Sequence, residues 1–342
     1  MNNSNISKAC NVTFNQGAVP LATVYSLVLI FGLPTNLLTL TLSAMKIRRK
    51  NVLSVYLFTL SLSDLIYLAT IPWWITYIRN SSRWSHGQLA CSITGYIFFN
   101  NLYISILLLC CISVDRCLVV LYPIEARWRH RRRVAVAVCL AVWATVMLVH
   151  TPVFYLSMVQ NTRGKNDSCF ETIPMPDMVA NFNYARFCIG FCLPLAILVT
   201  TNFLIFRRIQ SSPCLNTTQK RKVKYLALAV ILIFLVCFAP YHIILLSRAL
   251  AFSLSKNSCW FEEQIYGVST TFLCLCTVNS AVNPFLYMFS SESTRQELIR
   301  DLRLLFFLPL PRESGTETCF LNHGTGSKMS SSQKKEVTSD NK

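Results

Sequence analysis

The sequence has little charge and few residues that interrupt helices. Charged residues make up only 14% of its 342 residues, whereas hydrophobic residues make up 53%. Soluble domains are roughly a quarter charged, and one such domain could not hide this much apolar surface. The composition therefore argues against a soluble enzyme and against whole-chain disorder. Ten glycines and 13 prolines are too few for a fibrous or low-complexity chain.

Acidic residues are also scarce. There are 15 of them against 32 lysines and arginines, which leaves a net charge of +17. Such an excess can serve nucleic-acid binding, but most of the basic residues lie in short segments beside long apolar runs. Those segments are 46–50, 127–133, 207–224 and 295–303. Their placement indicates membrane topology, with anionic lipid contact as a secondary role, and no nucleic-acid partner is expected.

Seven apolar runs are long enough to cross a hydrocarbon core, which takes about 20 helical residues. They are numbered here as spans one to seven: Val19–Met45, Val52–Ile78, Ser92–Leu121, Val134–Leu156, Tyr184–Phe206, Val223–Leu250 and Phe261–Ser290. Backbone polar groups in lipid must be satisfied within their own segment, so each span is predicted to be a helix. Because basic loops alternate with non-basic ones, the N-terminus is predicted outside and the C-terminus inside.

The sequence thus predicts an all-α membrane protein in four parts. These are an extracellular glycosylated N-terminus (1–18), a seven-helix bundle (19–290), an amphipathic helix along the inner membrane surface (291–310) and a disordered cytoplasmic tail (311–342). Glycosylation sequons agree with this orientation and begin at Asn2, Asn5, Asn11, Asn80 and Asn166. A further match at Asn216 falls on the inner side and is interpreted as chance.

Four cysteines are predicted to face the oxidising side of the membrane. They are Cys10, Cys91, Cys169 and Cys259. Four cysteines allow three pairings, which the residues alone leave open. No metal-site spacing occurs, and no cofactor is expected.

Polar residues inside the spans are candidates for function, because they are costly in a bilayer. Asp64 lies in the middle of span two, and the residues expected at a similar depth are Asn36, Asn101, Ser105, Asn279 and Asn283. A carboxylate among amides and a hydroxyl indicates a hydrated cation or proton site, and a plain polar packing network is the alternative. Arg116, beside Asp115 at the inner end of span three, is predicted to point into the bundle, although an arginine there can also snorkel to the surface.

The outer half of the bundle is predicted to form a mostly apolar pocket suited to an acyl chain. Its candidate lining is Phe98, Phe99, Leu102, Phe238, Tyr241, His242 and Leu245. Arg186 and Arg248 supply positive charge where a carboxylate head would lie. Arg186 lies deeper and is the favoured contact, while Glu171 or Glu263 is an alternative partner for either arginine. Prolines within the spans, among them Pro240, are predicted hinges, or else are merely tolerated.

Several motifs stand in order along the chain: Asn36, Leu60–Asp64, Asp115-Arg116-Cys117, Trp143, Pro194, Phe234–Pro240 and Asn283–Tyr287. With these motifs, the chain resembles the rhodopsin-like (class A) G-protein-coupled receptors over Val19–Phe307. Each motif is weak alone, but their order on the appropriate spans makes the resemblance specific. Three residues depart from it, since Cys117 and Asn202 stand where the family usually has tyrosine and Phe238 stands where it usually has tryptophan.

The resemblance implies a plasma-membrane receptor that passes a signal from an outer ligand to a heterotrimeric G protein, with arrestin binding after phosphorylation of the tail. It implies disulfides Cys91–Cys169 and Cys10–Cys259. Its sodium site would comprise Asp64, Asn101, Ser105, Asn279 and Asn283. Its activation and G-protein residues would be Asp115, Arg116, Phe234, Pro240, Asn283, Pro284 and Tyr287.

Within the family, four segments are similar to the group of proton-sensing and lysolipid receptors. They are residues 74–80, 96–99, 184–187 and 236–242. This implies a lipid ligand, with oxidised free fatty acids as the expected class and a Gq-family G protein as the partner. A proton-sensing or lysophospholipid receptor is the alternative within the family. Outside it, a membrane transporter would show inverted repeats and an enzyme would show a catalytic constellation, and the sequence shows neither.

Overall fold

The computed structural model describes residues 18–48, 51–122, 131–161, 169, 177–210, 217–255 and 259–289. All regular secondary structure in these residues is helical, and seven helical segments are long and apolar enough to cross a membrane. The predicted all-α bundle is therefore confirmed. The predictions for Cys10, Asn2, Asn5, Asn11, Asn166, Glu171, the helix at 291–310 and the tail at 311–342 fall outside the described residues.

The helices cover all seven predicted spans. They are α1 (Ala18–Arg48), α2 (Leu53–Leu68), α3 (Ile71–Arg79), α4 (Gln88–Leu121), α5 (Arg131–Asn161), α6 (Asp177–Phe187), α7 (Leu193–Gln210), α8 (Thr217–Leu254) and α9 (Cys259–Phe289). Span two consists of α2 and α3, and span five consists of α6 and α7 joined by a π-helical segment, Cys188–Cys192. Most of the helices extend several residues beyond the predicted apolar limits, because a helix can continue into polar sequence.

Span two is interrupted near Pro72, one of the span prolines that were predicted to be hinges. Helix α2 ends at Leu68, and α3 begins at Ile71 after a two-residue turn. Pro72 is at the start of α3, where its missing N–H costs no intrahelical hydrogen bond. The Tyr67 carbonyl accepts from the Thr70 backbone N–H at 2.8 Å and from the Thr70 hydroxyl at 2.7 Å, so it stays satisfied across the interruption. Ala69 and Thr70 keep right-handed helical backbone angles, so the chain continues in the same direction through a local interruption before the proline.

The π-helical segment in span five lies directly before Pro194. The backbone N–H of Leu193 donates to the Cys188 carbonyl, five residues back, and thereby widens the turn. Because proline has no N–H for a carbonyl four residues earlier, the ordinary register is interrupted at this point. This segment carries Gly190, whose position matters for the site described below.

The seven spans close into a ring of packed helices. Span three packs against spans two, four and five, and the ring continues from five to six, six to seven, seven to one and one to two. Polar residues are buried inside the ring, where Asn36 and Asp64 are fully buried, while Leu140 and Leu148 are 65% and 72% exposed on the outside. This inside-out distribution of polarity is the one expected of a bundle solvated by lipid.

Candidate functional site

A disulfide joins the start of span three to the segment before span five, and the end of the bundle that carries it, predicted to face outward, is called the outer end below. Cys91 and Cys169 are bonded, with their Cα atoms 5.6 Å apart, which confirms that predicted pairing. The backbone N–H of Cys169 donates to the Tyr77 hydroxyl at 3.3 Å, so the bridge also packs on span two. Cys259 is disulfide-bonded as well, and its predicted partner lies outside the described residues.

Arg186 lies inside the outer half of the bundle and is only 9% exposed. Its guanidinium carbon is 4.4 Å from the Phe99 ring centroid and 5.2 Å from that of Tyr103. The rings of Phe182 and Tyr241 are within 6 Å. Such contacts attract a cation to the negative faces of aromatic rings. We call this arrangement, with two nearby histidines, the Arg186 cluster: Phe99, Tyr103, His150, Phe182, Arg186, Tyr241 and His242.

A directed chain of hydrogen bonds runs from Arg186 to span six. The Nε–H of Arg186 donates to the Tyr103 hydroxyl at 2.9 Å, and that oxygen is 3.1 Å from Nε2 of His242. Nδ1 of His242 is 2.8 Å from the Phe238 carbonyl, which can only accept, so Nδ1 carries the proton and Nε2 accepts from Tyr103. The Tyr103 hydroxyl therefore links the guanidinium to the backbone two residues before Pro240.

Aromatic packing connects this chain to the deeper core. Phe191, from the π-helical segment, stacks on His242 at 4.9 Å and on Phe234 at 5.7 Å between ring centroids. Phe234 in turn meets Phe238 edge-on at 5.3 Å. Phe234 and Phe238 are fully buried. A shift of the Tyr103–His242 pair must therefore be accommodated by side chains around the predicted hinge, because close-packed cores transmit displacement.

The structure brings the predicted pocket residues into one continuous packed region. Phe99, Tyr241 and His242 belong to the Arg186 cluster, and Phe98 meets Phe99 edge-on at 5.1 Å and Tyr67 at 5.6 Å between ring centroids. Leu102, Phe238 and Leu245 share the main hydrophobic core with Phe98 and Tyr241.

Arg248 does not meet Arg186. Its Nε donates to both carboxylate oxygens of Glu262, at 2.8 and 3.2 Å. Glu262 is 2% exposed and ties the outer ends of spans six and seven together. The sequence offered Glu263 as a partner for Arg248, but the ion pair is formed by the adjacent residue, Glu262. A cation already paired in this way is a poor head-group contact for a ligand.

A second polar site surrounds Asp64, which is fully buried. Its carboxylate accepts hydrogen bonds from Asn101 at 2.9 Å, Ser280 at 2.8 Å and Asn283 at 3.0 Å. Two of the predicted partners therefore reach Asp64, and Ser280 joins them. Asn36 donates to the Ser280 carbonyl at 2.8 Å and so ties span one to the same region.

Three predicted sodium ligands present oxygen atoms without a hydrogen-bond partner in the described structure. These buried atoms are Ser105 Oγ, Asn279 Oδ1 and Asn283 Oδ1. Burying an acceptor without a partner is unfavourable, and hard cations take oxygen ligands. Asn283 contacts Asp64 directly, Ser105 follows Asn101 by one helical turn, and Asn279 is adjacent to Ser280. The chemistry of these oxygen atoms fits a small cation, which would supply positive charge beside the buried carboxylate.

At the inner end, spans three and five are joined by polar contacts. Ser113 and Thr201 are 2.6 Å apart through their hydroxyls, and Asn202 donates to Ser113 at 3.4 Å. Cys117 packs against Ile205 and Ile209 one turn further in. Asn202 and Cys117, which stand where the family usually has tyrosine, thus both lie at the interface of spans three and five. Arg116 and Asp115 are half-buried beside them.

The family model of the seven-transmembrane receptors of the rhodopsin family matches residues 35–287. The chain belongs to this family. As a rhodopsin-family receptor it is a multi-pass plasma-membrane protein, and its partners are a heterotrimeric G protein and a small-molecule ligand. The enzyme and transporter alternatives are thereby removed.

Individual relatives agree with this membership. The receptor is 46% identical to the human "Probable G-protein coupled receptor 132" over 299 residues, which cover 86% of this chain and 77% of that relative. It is 35% identical to the mouse "G-protein coupled receptor 68" over 300 residues, or 87% and 80% of the two chains. It is also 28% identical to the human "G-protein coupled receptor 65" over 285 residues, or 80% and 84%.

Sequence reasoning missed several residues of this receptor's outer site. Tyr103 follows Phe99 by four residues and Phe182 precedes Arg186 by four, so helical spacing could have placed both beside the predicted residues. His150 is an ionisable residue within an apolar span, which is itself a signal of function. Nothing in the local sequence indicated Glu262 rather than Glu263, because that choice depends on the rotation of span seven.

Proposed function

We propose that this receptor binds a free fatty acid, with oxidised fatty acids as the favoured class, and activates a G protein of the Gq family. Arg186 supports this proposal. Its guanidinium is buried among aromatic rings, and no carboxylate oxygen of a described residue lies within 4 Å of it. A buried cation without a counter-charge is unfavourable, so a ligand carboxylate there relieves a penalty and adds charge-assisted hydrogen bonds.

The acyl chain is proposed to lie along the apolar side chains of spans three and six. Ligand entry requires Phe99 and Phe182 to change rotamer, because the guanidinium is covered in this conformation. We assign the head-group contact to Arg186 alone, and Arg248 is taken to hold span six to span seven through Glu262.

Activation is proposed to follow the hydrogen-bond chain that starts at Arg186. A carboxylate competes for the guanidinium, changes its contact with Tyr103, and so alters the Tyr103–His242 pair next to the Phe238 carbonyl. The ligand must favour the active arrangement to shift the population. Movement of span six at Pro240 then opens an inner cleft for the G protein beside Arg116 and Tyr287. Pro284 lets span seven adjust.

Two regulatory features and one membrane orientation accompany this mechanism. A sodium ion at Asp64, with Asn101, Ser105, Asn279 and Asn283, is proposed to favour the inactive state. Phosphorylation of the tail at residues 330–332 is proposed to recruit arrestin. The N-terminus is proposed to be extracellular, which agrees with a disulfide at Cys91 and with the exposure of the Asn80 sequon on the same side.

Nucleotide exchange on purified G proteins tests the proposed function. The receptor in lipid nanodiscs is assayed with fatty acids, oxidised fatty acids and lysophospholipids at two pH values, against G proteins of the Gq, Gi and Gs families. Fatty acids should drive exchange, and Arg116→Ala should abolish it. Exchange driven only by acid pH or by lysophospholipids would support the alternatives within the family. No exchange with any G protein under any condition contradicts the account.

A further inference from the structure

His150 on span four is the buried polar group of the Arg186 cluster that the proposed function does not use. It is 4% exposed, and its ring stacks on Phe99 and Tyr103, with centroids 6.3 and 5.1 Å apart. It also meets Phe182 edge-on at 5.8 Å. These are three of the rings that surround Arg186, so His150 and the proposed carboxylate site share one aromatic enclosure.

The hydrogen bonding of His150 fixes what its free nitrogen can do. Nδ1 is 2.9 Å from the Val146 carbonyl, and a carbonyl only accepts, so Nδ1 carries the ring proton. A second positive charge beside the buried Arg186 is disfavoured, so the ring is neutral. Nε2 is therefore a bare acceptor, and it has no hydrogen-bond partner in the described structure.

The neighbouring hydroxyl groups do not remove this deficit. The single proton of the Tyr103 hydroxyl is directed at Nε2 of His242. The Tyr241 hydroxyl accepts from Arg186 at 3.3 Å, and Tyr241 packs on His242 rather than on His150. A buried acceptor left in this condition favours a ligand that brings a donor.

We infer that Nε2 of His150 accepts a hydrogen bond from a donor group on the ligand, so that the receptor binds hydroxy fatty acids in preference to oxo and unmodified fatty acids. This inference rests on the proposed function, since it concerns the same site. A hydroxyl group can donate a hydrogen bond to Nε2. A ketone or a methyl ether has only acceptor oxygens and cannot pair with Nε2, which is itself an acceptor. A site built to pair with a hydroxyl discriminates against analogues that lack it, because its own polar group is then left unpaired.

The test uses matched 18-carbon fatty acids that carry a hydroxyl, an oxo or a methoxy group at the same carbon, for several carbons along the chain, together with the unmodified acid. Potency is measured by nucleotide exchange with wild-type receptor, His150→Phe and His150→Gln. His86→Ala, at an exposed outer histidine, is the control. At one or more positions the hydroxy acid should be at least about tenfold more potent than its oxo and methoxy partners on the wild type.

The variants separate the explanations. In His150→Phe the hydroxy-to-oxo ratio should fall close to one, in His150→Gln part of it should return through the amide oxygen, and His86→Ala should keep it. A ratio near one at every position on the wild type, or a ratio that survives in His150→Phe, overturns the inference and means that water satisfies Nε2. Failure of every free acid to drive exchange overturns the proposed function as well, which keeps the two failures distinct.

Discussion

Tyr103→Phe removes one oxygen atom from the middle of the hydrogen-bond chain and leaves the ring in place. That oxygen accepts from Arg186 and donates to His242. Both partners are buried, at 9% and 0% exposure, so water cannot readily replace it. The substitution therefore tests whether the chain stabilises the bundle and carries the signal.

The magnitude follows from the two groups that lose their partner. A buried donor or acceptor left unsatisfied costs about 1–3 kcal/mol, and a bond to a charged group lies at the upper end. Tyr103→Phe should thus lower the free energy of unfolding by about 2–5 kcal/mol, a loss of roughly 5 °C or more in the melting temperature. Affinity for a carboxylate should hold or rise, because the Nε–H of Arg186 becomes available.

The assay pairs thermal unfolding and ligand binding with nucleotide exchange. Binding should persist while maximal exchange falls severalfold, because the link to Phe238 is broken. Tyr241→Phe is the matched control, since Tyr241 also accepts from Arg186, at 3.3 Å, but is not part of the chain to Phe238. Unchanged stability and unchanged maximal exchange in Tyr103→Phe, or equal loss in both variants, would refute the proposed route.

Three further predictions follow from the described contacts. Gly190→Ala should reproduce the loss of exchange in Tyr103→Phe, because a Cβ at residue 190 would lie 2.6 Å from Cε1 of Tyr103. Gly267→Ala is the control and should not change exchange, because a Cβ there meets no atom within 4 Å. Equal effects of the two variants in a paired exchange assay would contradict this. Cys91→Ser should abolish cell-surface expression measured by flow cytometry, since losing such a disulfide costs about 2–5 kcal/mol of stability. Cys188→Ser, at an exposed free cysteine, should leave surface expression unchanged. Free thiols at Cys91 and Cys169 in functional receptor would rule the disulfide out. Asp64→Asn should remove the inhibition of agonist binding by sodium, and a sodium response equal to that of the wild type would leave only the packing interpretation of the Asp64 site.

The fold was largely predictable, because the bilayer limits what a chain can do within it. Length and hydropathy define the spans, and basic loops define a topology. The break after Leu68 and the π-helical segment before Pro194 were not predictable in detail. A proline in sequence shows that a hydrogen bond is lost, but tertiary packing decides whether the helix bends, breaks or widens.

The sequence predicted the charged residue of the candidate site but not the aromatic rings that enclose it. Arg186 stood out because a lone cation in an apolar span needs an explanation. The aromatic rings around it come from spans three, four, five and six, and their meeting depends on helix rotation, which short motifs do not encode. The pairing of Arg248 with Glu262 was missed for the same reason.

The most direct test of the account compares a free fatty acid with its methyl ester on wild-type receptor, Arg186→Gln and Arg248→Gln. Potency is measured by nucleotide exchange on purified G protein. A charged hydrogen bond is worth about 1.5–3 kcal/mol, so the acid should exceed the ester by about 10- to 150-fold on the wild type. The preference should persist in Arg248→Gln and vanish in Arg186→Gln. Equal potency of acid and ester on the wild type would contradict the carboxylate–Arg186 contact.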